Sequence, residues 1–388
     1  MPRELNVALI GYKFMGKAHS HAYRDVDFFF PGECKPVMKV ICGRNEAPLR
    51  DAANAWGWEQ CETSWEKVVQ RDDIDIVDIA SPQNTHRDIA VAAAKAGKHI
   101  LLEKPMALNE AEAREMLDAA REANVKHMIV FNYRRVPAVA YARRLIEDGK
   151  IGRIFHFRAC YLQDWIVDEE FPLIWKLRKE TAGSGAHGDL NAHLIDLARF
   201  LVGEITEVVG QTHNFITERP LPVETGELST MLTAEAGAET GQVTVEDTAS
   251  FLARFDNGAV GTFEATRFAP GRRNHNRFEI YGSKGSLVFD FERMNELEYY
   301  SADDDPGAQG FRTILTTDEA HPYVSAWWPP GHAIGYEHTF VHQVADLLRA
   351  IHEDTEPHPN FHDGWKNQQA LDAVLRSAES GTRVTISH

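Results

Sequence analysis

A carboxylate and an imidazole lie four residues apart in a segment that opens with a glycine-rich loop. Residues 183–193 read GSGAHGDLNAH, and the spacing places Asp189 and His193 on one face of a predicted helix. A histidine beside an orienting carboxylate can act as a general base for a hydroxyl proton. The alternative is structural: an aspartate that caps the helix and a histidine hydrogen-bonded in the core.

A lysine follows a predicted buried strand. Residues 99–102 read HILL, and Glu103, Lys104 and Pro105 come directly after them. Ligands of open α/β sheets bind outside the carboxyl ends of the strands, so Lys104 is expected to point into a cleft. Pro105 permits a cis peptide bond at this turn. The tripeptide by itself is not specific, and the alternative is a solvated lysine at a strand end.

A glycine loop lies between a predicted strand at 5–10 and a predicted helix at 17–23. Such a turn places a dinucleotide pyrophosphate on the helix N-terminus. The loop reads GYKFMG, so Lys13 replaces the middle glycine of the G-x-G-x-x-G fingerprint. An ordinary strand-to-helix turn is the alternative. The expected dinucleotide contacts in this loop are Gly11, Lys13, Phe14, Met15 and Gly16.

The end of the second predicted strand, residues 37–41, indicates which dinucleotide would bind. An NAD-binding domain usually has an acidic residue there, and an NADP-binding domain has a small residue with an arginine nearby. Here Gly43 and Arg44 follow the strand, with no carboxylate at the expected place. Arg44 can offer a guanidinium fork to a phosphate. NADP is therefore favoured over NAD, with an ordinary surface arginine as the alternative.

The composition sets the class of protein. With 388 residues the chain is long enough for two or three domains. The formal net charge of −17 argues against nucleic acid and anionic membranes as partners. The four cysteines form no CxxC pair, so reduced thiols are expected. The first apolar run, residues 7–10, is too short for a signal sequence or a membrane span, and the cytoplasm is the expected location.

The order of the predicted elements gives the fold class. Short apolar strands at 5–10, 37–41, 75–80, 99–102 and 127–131 alternate with helical segments, as in a parallel sheet. After residue 132 the segments alternate as antiparallel strands do, for example at 248–255 and 258–266. The prediction is an α/β chain with an N-terminal Rossmann dinucleotide-binding domain, residues 1–131, and a second α+β domain on a mostly antiparallel sheet, residues 132–362. A C-terminal helix at 363–380 could pack back on the first domain, and residues 233–246 are predicted to be a loop.

Four motifs in this order resemble the glucose-fructose oxidoreductase, inositol dehydrogenase and MocA family (Gfo/Idh/MocA) of nicotinamide-dependent sugar and polyol dehydrogenases. They are GYKFMGKAHS at 11–20, SPQNTH at 81–86, EKP at 103–105, and the Asp189–His193 pair with Ile195 and Asp196. The glycine loop alone is unspecific, whereas the ordered set is specific. The resemblance covers essentially the whole chain.

The resemblance implies an active site between the two domains and a sheet face used in homo-oligomers, either dimers or tetramers. His193 would take the proton of the alcohol, Lys104 would stabilise negative charge on the reacting oxygen, and Asp189 would orient the substrate and the imidazole. The further dinucleotide contacts that it implies are Ser81, Pro82, Asn84, His86, Glu103 and Lys104.

Within the family, the motifs at 131–135, 161–165 and 335–336 resemble those of sugar dehydrogenases. Polar groups beside aromatic rings suit a polyol. The resulting candidates for substrate contact are Tyr133, Gln163, Asp164 and Trp165, with Arg178, His187 and His332 on weaker grounds.

The expected activity is oxidation of a secondary hydroxyl of a sugar, anhydrosugar or cyclic polyol to the keto form by hydride transfer to NAD(P), and no metal site is expected. One alternative is an NAD(P)-binding sensor without turnover. Another is a metal-dependent sugar hydrolase or isomerase with His187, Asp189, His193 and His332 as ligands, although no HExxH motif supports it.

Overall fold

A parallel six-stranded sheet forms the first part of the protein in the computed structural model, which describes residues 2–223 and 235–386. Its strands are β1 (Arg3–Ile10), β2 (Cys34–Cys42), β3 (Gln60–Glu62), β4 (Ile76–Ile79), β5 (His99–Leu102) and β6 (His127–Ile129). The helices between them are α1 (Phe14–Phe29), α2 (Glu46–Trp56), α3 (Trp65–Val69), α4 (His86–Lys95) and α5 (Glu110–Glu122). The strand order is β3-β2-β1-β4-β5-β6, the order of a Rossmann fold.

Strand β1 lies in the middle of this sheet because its apolar run suits burial on both faces. Leu5, Val7, Ala8 and Leu9 are fully buried, as expected for a parallel strand covered by helices on each side. β1 pairs with β2 on one edge and with β4 on the other. The strand order reverses between β1 and β4, which leaves a crevice at their carboxyl ends where ligands of such folds bind.

The second part of the chain is built on a nine-stranded sheet. Its helices are α6 (Pro137–Glu147), α7 (Lys179–Ala182) and α8 (Ala192–Leu201), with a π-helical turn at His187–Asn191 directly before α8. Its strands and those of a separate hairpin are β7 (Ile154–Leu162), β8 (Ile205–His213), β9 (Glu218–Val223), β10 (Glu235–Gln242), β11 (Thr248–Phe255), β12 (Val260–Thr266), β13 (His275–Gly282), β14 (Gly285–Asp290), β15 (Glu296–Ser301), β16 (Arg312–Leu315) and β17 (Val384–Thr385). Short 3-10 turns occur at Gln83–Thr85, Asn132–Arg135, Trp175–Leu177, Phe291–Arg293 and Val324–Ala326.

The nine-stranded sheet has the order β16-β15-β14-β13-β7-β12-β11-β8-β17 and is antiparallel except where β7 pairs with β12. The predicted fold class is thereby confirmed. Helices α6 and α8 contact one face of the sheet. On the other face, Val209 lies opposite Leu252 on the neighbouring strand, and both side chains are exposed, as is Val260.

Two C-terminal helices join the two parts. Helix α9 (His338–His352) packs its apolar face against α1, so it covers the first sheet although the predicted boundaries assign it to the second domain. Helix α10 (Phe361–Ser380) begins with a capping box between Asn360 and Asp363 and contacts both α5 and β8. Within the described ranges, no helix is both long and apolar enough to cross a membrane.

One stretch differs from its predicted conformation. Residues 235–242 form strand β10, paired with β9, although 233–246 was predicted to be a loop, and residues 233–234 lie outside the described ranges. The prediction was wrong because the segment AEAGAETGQ has few of the β-branched and aromatic residues that identify a strand. The segment forms a strand because its backbone pairs with β9, which its side chains do not indicate.

Candidate active site

The glycine turn after β1 is shaped for close packing. Gly11 has a φ of +122°, and a Cβ on it would lie 2.5 Å from the carbonyl oxygen of Ala80. A Cβ on Gly16 would lie 2.2 Å from the carbonyl oxygen of Gly11. Neither position accepts a side chain. The first and third glycines of a dinucleotide turn are required for the same reason.

Helix α1 presents free backbone donors at this turn. Lys13 is its N-cap residue, yet its side chain makes no capping hydrogen bond, and the first turn holds no acidic residue. The first N–H groups of a helix lack partners within the helix and attract anions. The ammonium of Lys13 lies 5.5 Å from the centre of the Tyr12 ring, beside this turn. These residues fit a pyrophosphate.

The residue that follows β2 must be small because the Tyr12 ring packs against it. A Cβ on Gly43 would lie 2.2 Å from the Tyr12 ring. Arg44 is exposed and makes no ion pair with any residue that the structure describes. Burial raises the pKa of Tyr12, and the nearby charge of Arg44 opposes this. Arg44 is therefore available to a ligand lying over Tyr12 and Gly43.

Two of the predicted dinucleotide contacts have partners within the protein. His86 is buried, with Nε2 2.9 Å from the Ser81 carbonyl and Nδ1 3.2 Å from the carbonyls of Pro105 and Met106. Glu103 is buried as well, and its carboxylate accepts a hydrogen bond from the backbone N–H of Lys104. Both side chains thus satisfy their polar groups inside the fold, and their contact with the dinucleotide stays a prediction. Pro82 and Asn84, in contrast, are at the surface of the turn after β4.

A buried histidine connects α1 with two strand ends. The Nδ1 atom of His19 lies 2.8 and 2.9 Å from the carboxylate oxygens of Asp78, and its Nε2 lies 3.0 Å from Glu103. Burial opposes the charged imidazole, but the two carboxylates outweigh it and raise the pKa of His19 to about 10. His19 is therefore an imidazolium at neutral pH. Although it lies within the motif at 11–20, the sequence did not indicate this role.

Lys104 reaches the second domain. The Lys104–Pro105 peptide bond is cis. The Lys104 Nζ atom donates to the carboxylate Oδ1 and to the backbone carbonyl of Asp189, both at 3.0 Å. Burial opposes the charge of Lys104, but the carboxylates of Asp189 and Glu103 raise its pKa, so the ammonium form prevails. A cation thus lies at the carboxyl end of β5, as predicted.

Asp189 binds three cations. Lys176 Nζ lies 3.0 Å from its Oδ1 and 3.2 Å from its Oδ2, and Arg267 Nη2 lies 2.9 Å from Oδ2. Burial favours the neutral acid, yet Lys104, Lys176 and Arg267 hold the pKa of Asp189 well below its usual range. Neither Lys176 nor Arg267 was identified from the sequence, because each lies outside any motif.

His193 is held by aromatic rings instead of by Asp189. Its ring stacks on Tyr133 with the centroids 4.4 Å apart, and the ring of Tyr161 lies 5.9 Å away. Among the described residues, Nδ1 is buried without a partner, and no hydrogen bond joins His193 to Asp189. The predicted orientation of the imidazole by Asp189 is therefore wrong. The π-helical turn at His187–Asn191 is the reason, since its wider repeat breaks the i, i+4 register.

Burial and two neighbouring cations keep His193 neutral. Burial lowers the pKa of His193, the charges of Lys104 and Lys176 lower it further, and Asp189 opposes them, so that the pKa lies well below the usual range. A neutral imidazole can accept a proton. Because Nδ1 is enclosed, Nε2 is the nitrogen left to meet a ligand.

A chain of hydrogen bonds brings together three of the predicted substrate contacts. The hydroxyls of Tyr133 and Tyr161 are 2.8 Å apart, and Asn274 Oδ1 accepts from Tyr161 at 2.7 Å and from the Gln163 amide at 2.8 Å. Trp165 Nε1 donates to Gln163 Oε1 at 2.8 Å. The sequence missed Tyr161 and Asn274 as individual contacts, and Asn274 carries no motif that could have identified it.

The Tyr336 ring connects this chain with the glycine turn. It lies parallel to the Phe14 ring, with the centroids 6.4 Å apart, and 6.5 Å from the Tyr133 ring. The sequence motif at 335–336 gave no role to Tyr336 itself. Tyr336 thus lies between the glycine turn and the candidate sugar contacts.

Four of the predicted substrate contacts have other partners in the protein, and their contact with a sugar stays a prediction. Asp164 accepts from the Gly271 N–H and pairs with Arg273, so its carboxylate holds a loop. His187 is fully buried, its Nε2 lies 3.0 Å from the Leu371 carbonyl, and burial lowers its pKa to about 4. Arg178 lies 3.9 Å from Glu180. His332 is exposed and hydrogen-bonds the Pro329 carbonyl of its own loop.

The ligands imagined for a metal-dependent hydrolase do not converge. In the described ranges, the one group of three potential metal ligands is His275, Asp290 and Glu292. His187 faces Leu371 and Asp189 is bound by three cations, so neither can join His193 and His332 around an ion.

Comparisons with known families agree with this geometry. The sequence profile described as "Oxidoreductase family, NAD-binding Rossmann fold" matches residues 5–131. The profile described as "GFO/IDH/MocA C-terminal domain" matches residues 139–288. Fold and site thus define an enzyme of the oxidoreductase class with an NAD-binding Rossmann domain. The chain belongs to the Gfo/Idh/MocA family, as its motifs indicated.

Several relatives are similar over their full length. Levoglucosan dehydrogenase from Pseudarthrobacter phenanthrenivorans is 45% identical over 387 residues, which cover 99% of this chain and 98% of that protein. The crystal structure of an oxidoreductase domain protein from Kribbella flavida superposes with a TM-score of 0.94 at 50% identity, over 100% of both chains. Levoglucosan dehydrogenase in complex with NADH and levoglucosan superposes with a TM-score of 0.93 at 44% identity, also over 100% of both chains.

Proposed function

We propose that the enzyme oxidises a secondary hydroxyl of a sugar, anhydrosugar or cyclic polyol to a keto group, with a nicotinamide dinucleotide as hydride acceptor. The observation that carries the proposal is the meeting of Lys104, Asp189 and His193 at the carboxyl end of β5. A charged ammonium beside a neutral imidazole suits the removal of a hydroxyl proton.

The dinucleotide would lie along the carboxyl edge of the first sheet. The α1 N-terminus, with Gly11 and Gly16 packed beneath it, would hold the pyrophosphate. Further residues available to it are Lys13, Phe14, Met15, Gly43, Arg44, Ser81, Pro82 and Asn84. When bound, this group supplies the acceptor for the hydride that leaves the substrate carbon.

The side chains of the enzyme would handle the proton and the charge. His193 Nε2 would accept the hydroxyl proton, and the Lys104 ammonium would donate to the same oxygen as negative charge develops on it. Asp189 would hold Lys104 in place through the 3.0 Å ion pair. The hydroxyl thus loses its proton to the enzyme while its carbon loses a hydride, which leaves the ketone.

The substrate class follows from the chain of hydrogen bonds beside His193. The contacts Tyr133, Gln163 and Trp165, with Tyr161 and Asn274, combine polar groups and aromatic faces, which suits a sugar ring. Since the chain is 45% identical to levoglucosan dehydrogenase over 387 residues, we propose an anhydrosugar of the levoglucosan type as substrate.

The preference for NADP over NAD stays a prediction. Arg44 supports it, because its guanidinium is free of ion pairs within the described ranges and lies beside Tyr12. Three structures of levoglucosan dehydrogenase are complexes with NADH, which supports NAD as the competing choice. Calorimetric titration with NADPH and NADH decides the question: tighter binding of NADPH that disappears in Arg44→Ala supports NADP, whereas tighter binding of NADH overturns the preference.

Assembly into a homo-oligomer is also proposed. The exposed Val209, Leu252 and Val260 lie on the face of the large sheet opposite α6 and α8, where a second copy could cover them. Light scattering with size-exclusion chromatography measures the mass. A dimer or tetramer that Leu252→Glu dissociates supports this assembly, and a wild-type monomer overturns it.

Turnover tests the proposed function itself. We expect reduced nicotinamide to accumulate when the enzyme is given NAD⁺ or NADP⁺ and levoglucosan or a related sugar. Dinucleotide binding without turnover of any sugar or polyol would instead support the sensor alternative.

A further inference from the structure

We propose that Lys176 is a positioning residue of the active site: it holds the Asp189 carboxylate together with Lys104 and adds a second ammonium charge to the place of proton transfer. This inference rests on the proposed function. The sequence motifs do not include Lys176.

Lys176 is fixed at the cleft by its own segment. It lies in the 3-10 turn Trp175–Leu177, in which Leu177 is fully buried and the Trp175 carbonyl accepts from the hydroxyl of Thr181. The Nζ atom lies 5.7 Å from the centre of the Trp175 ring, and its partner within the described ranges is the Asp189 carboxylate. The side chain keeps 18% of its surface exposed, so it lies at the edge of the packed interior.

The two lysines share one oxygen atom. Both Nζ atoms lie 3.0 Å from Asp189 Oδ1, so a hydroxyl bound to Lys104 is close to Lys176 as well. Asp189 Oδ2 is shared in the same way between Lys176 and Arg267. Without Lys176, Asp189 would still keep one cation on each oxygen. Loss of the Lys176 charge is therefore separable from loss of the Asp189 geometry.

Burial lowers the pKa of Lys176, the Asp189 carboxylate opposes this, and Lys104 and Arg267 lower it further. With Lys176 as the ammonium of its ion pair, the three cations exceed the one carboxylate by two positive charges. Such an excess favours an alkoxide over an alcohol and disfavours an imidazolium. The charged groups that face His193 are Lys104, Lys176 and Asp189, and the aromatic groups around its ring are Phe131, Tyr133 and Tyr161. Lys104 is assigned to contact with the substrate. Lys176 is hence the cation whose charge can be removed while the reacting groups remain.

The pH dependence of kcat/KM tests this role. In Lys176→Met one positive charge disappears, so the pKa of His193 rises and the acidic limb of the profile moves to higher pH, by about one unit. Lys176→Arg keeps the charge and is expected to keep the limb where the wild type has it. Lys179→Met, at an exposed lysine three residues away, is the matched control. A Lys176→Met profile that superposes on the wild type, or equal shifts in the Met and Arg variants, would overturn the inference.

A second readout does not depend on turnover. In protein labelled at its histidine rings, the His193 signal is assigned by its loss in His193→Gln and titrated in the wild type, Lys176→Met and Lys176→Arg. We expect a higher pKa of His193 in Lys176→Met alone. If the wild type oxidises no sugar, the proposed function fails, and this titration still decides on Lys176. If the wild type turns over and the His193 pKa is equal in all three proteins, only the inference fails.

Discussion

Lys104 and Asp189 are separated by 85 residues in sequence and joined by an ion pair of 3.0 Å between Nζ and Oδ1. Lys104 comes from the end of β5 in the Rossmann sheet, and Asp189 from the π-helical turn of the second domain. The pair therefore makes the active site dependent on how the two domains pack. Because the ion pair also keeps the Lys104 ammonium beside the neutral His193, the packing of the domains sets the chemistry of the site.

The glycine turn gives a prediction about dinucleotide binding. In Gly16→Ala the new methyl group would lie 2.2 Å from the Gly11 carbonyl oxygen, so the start of α1 must move. Since the free N–H groups of that turn would hold the pyrophosphate, we expect NADH to bind about tenfold more weakly or worse, measured by calorimetry. Gly32→Ala is the control, because a Cβ there meets no atom closer than 4.0 Å. Equal affinity in both variants would contradict this use of the turn.

The buried His19 gives a prediction about stability. His19→Gln leaves Asp78 and Glu103 without their shared cation, and breaking a buried ion pair costs about 3–5 kcal/mol of unfolding free energy. The folded pKa of His19, about 10, lies above the ordinary value of 6.5, so its contribution is complete below pH 6.5 and is lost as the pH rises towards 10. Urea unfolding at several pH values should show this loss in the wild type and less of it in His19→Gln.

The exposed His332 provides the control for that measurement, since it bonds only within its own loop among the described residues. His332→Gln should unfold as the wild type does. If His19→Gln were as stable as the wild type at neutral pH, the buried charge network would not have the role described here.

Asn274 gives a prediction about sugar binding. Its Oδ1 accepts from Tyr161 and from Gln163, so Asn274→Ala releases both donors. We expect the KM for the sugar to rise about five- to tenfold, as for the loss of one net hydrogen bond, with kcat changed less. Steady-state kinetics measures both constants. Because His332 hydrogen-bonds within its own loop, His332→Gln should leave KM unchanged, and an equal rise in both variants would refute the assignment.

Much of the first domain was predictable because its signals are local. The apolar run at 5–10 and the glycines at 11 and 16 specify a buried strand and a tight turn without reference to the rest of the chain. The position of Lys104 followed from one rule about the carboxyl ends of parallel strands. In the first domain the local sequence pattern agrees with the fold, so the strands and the turn could be predicted from the sequence.

The centre of the site was less predictable because it depends on contacts between distant segments. Lys176 and Arg267 approach Asp189 from a 3-10 turn and from the end of β12, and no spacing in the sequence indicates either contact. The π-helical turn also displaces Asp189 from the register that an α-helix would give. His187 resembled a site residue by position alone, yet its ring is bound to the Leu371 carbonyl of α10.

The most direct test of the account is hydride transfer from levoglucosan in Lys104→Met and His193→Gln. Nicotinamide reduction is followed in the wild type and both variants, with NADH affinity measured on the same samples. We predict wild-type turnover, a loss of kcat/KM of about 10²- to 10⁴-fold in each variant, and unchanged NADH affinity. Wild-type turnover that persists in both variants would contradict the assignment of Lys104 and His193 to the reaction.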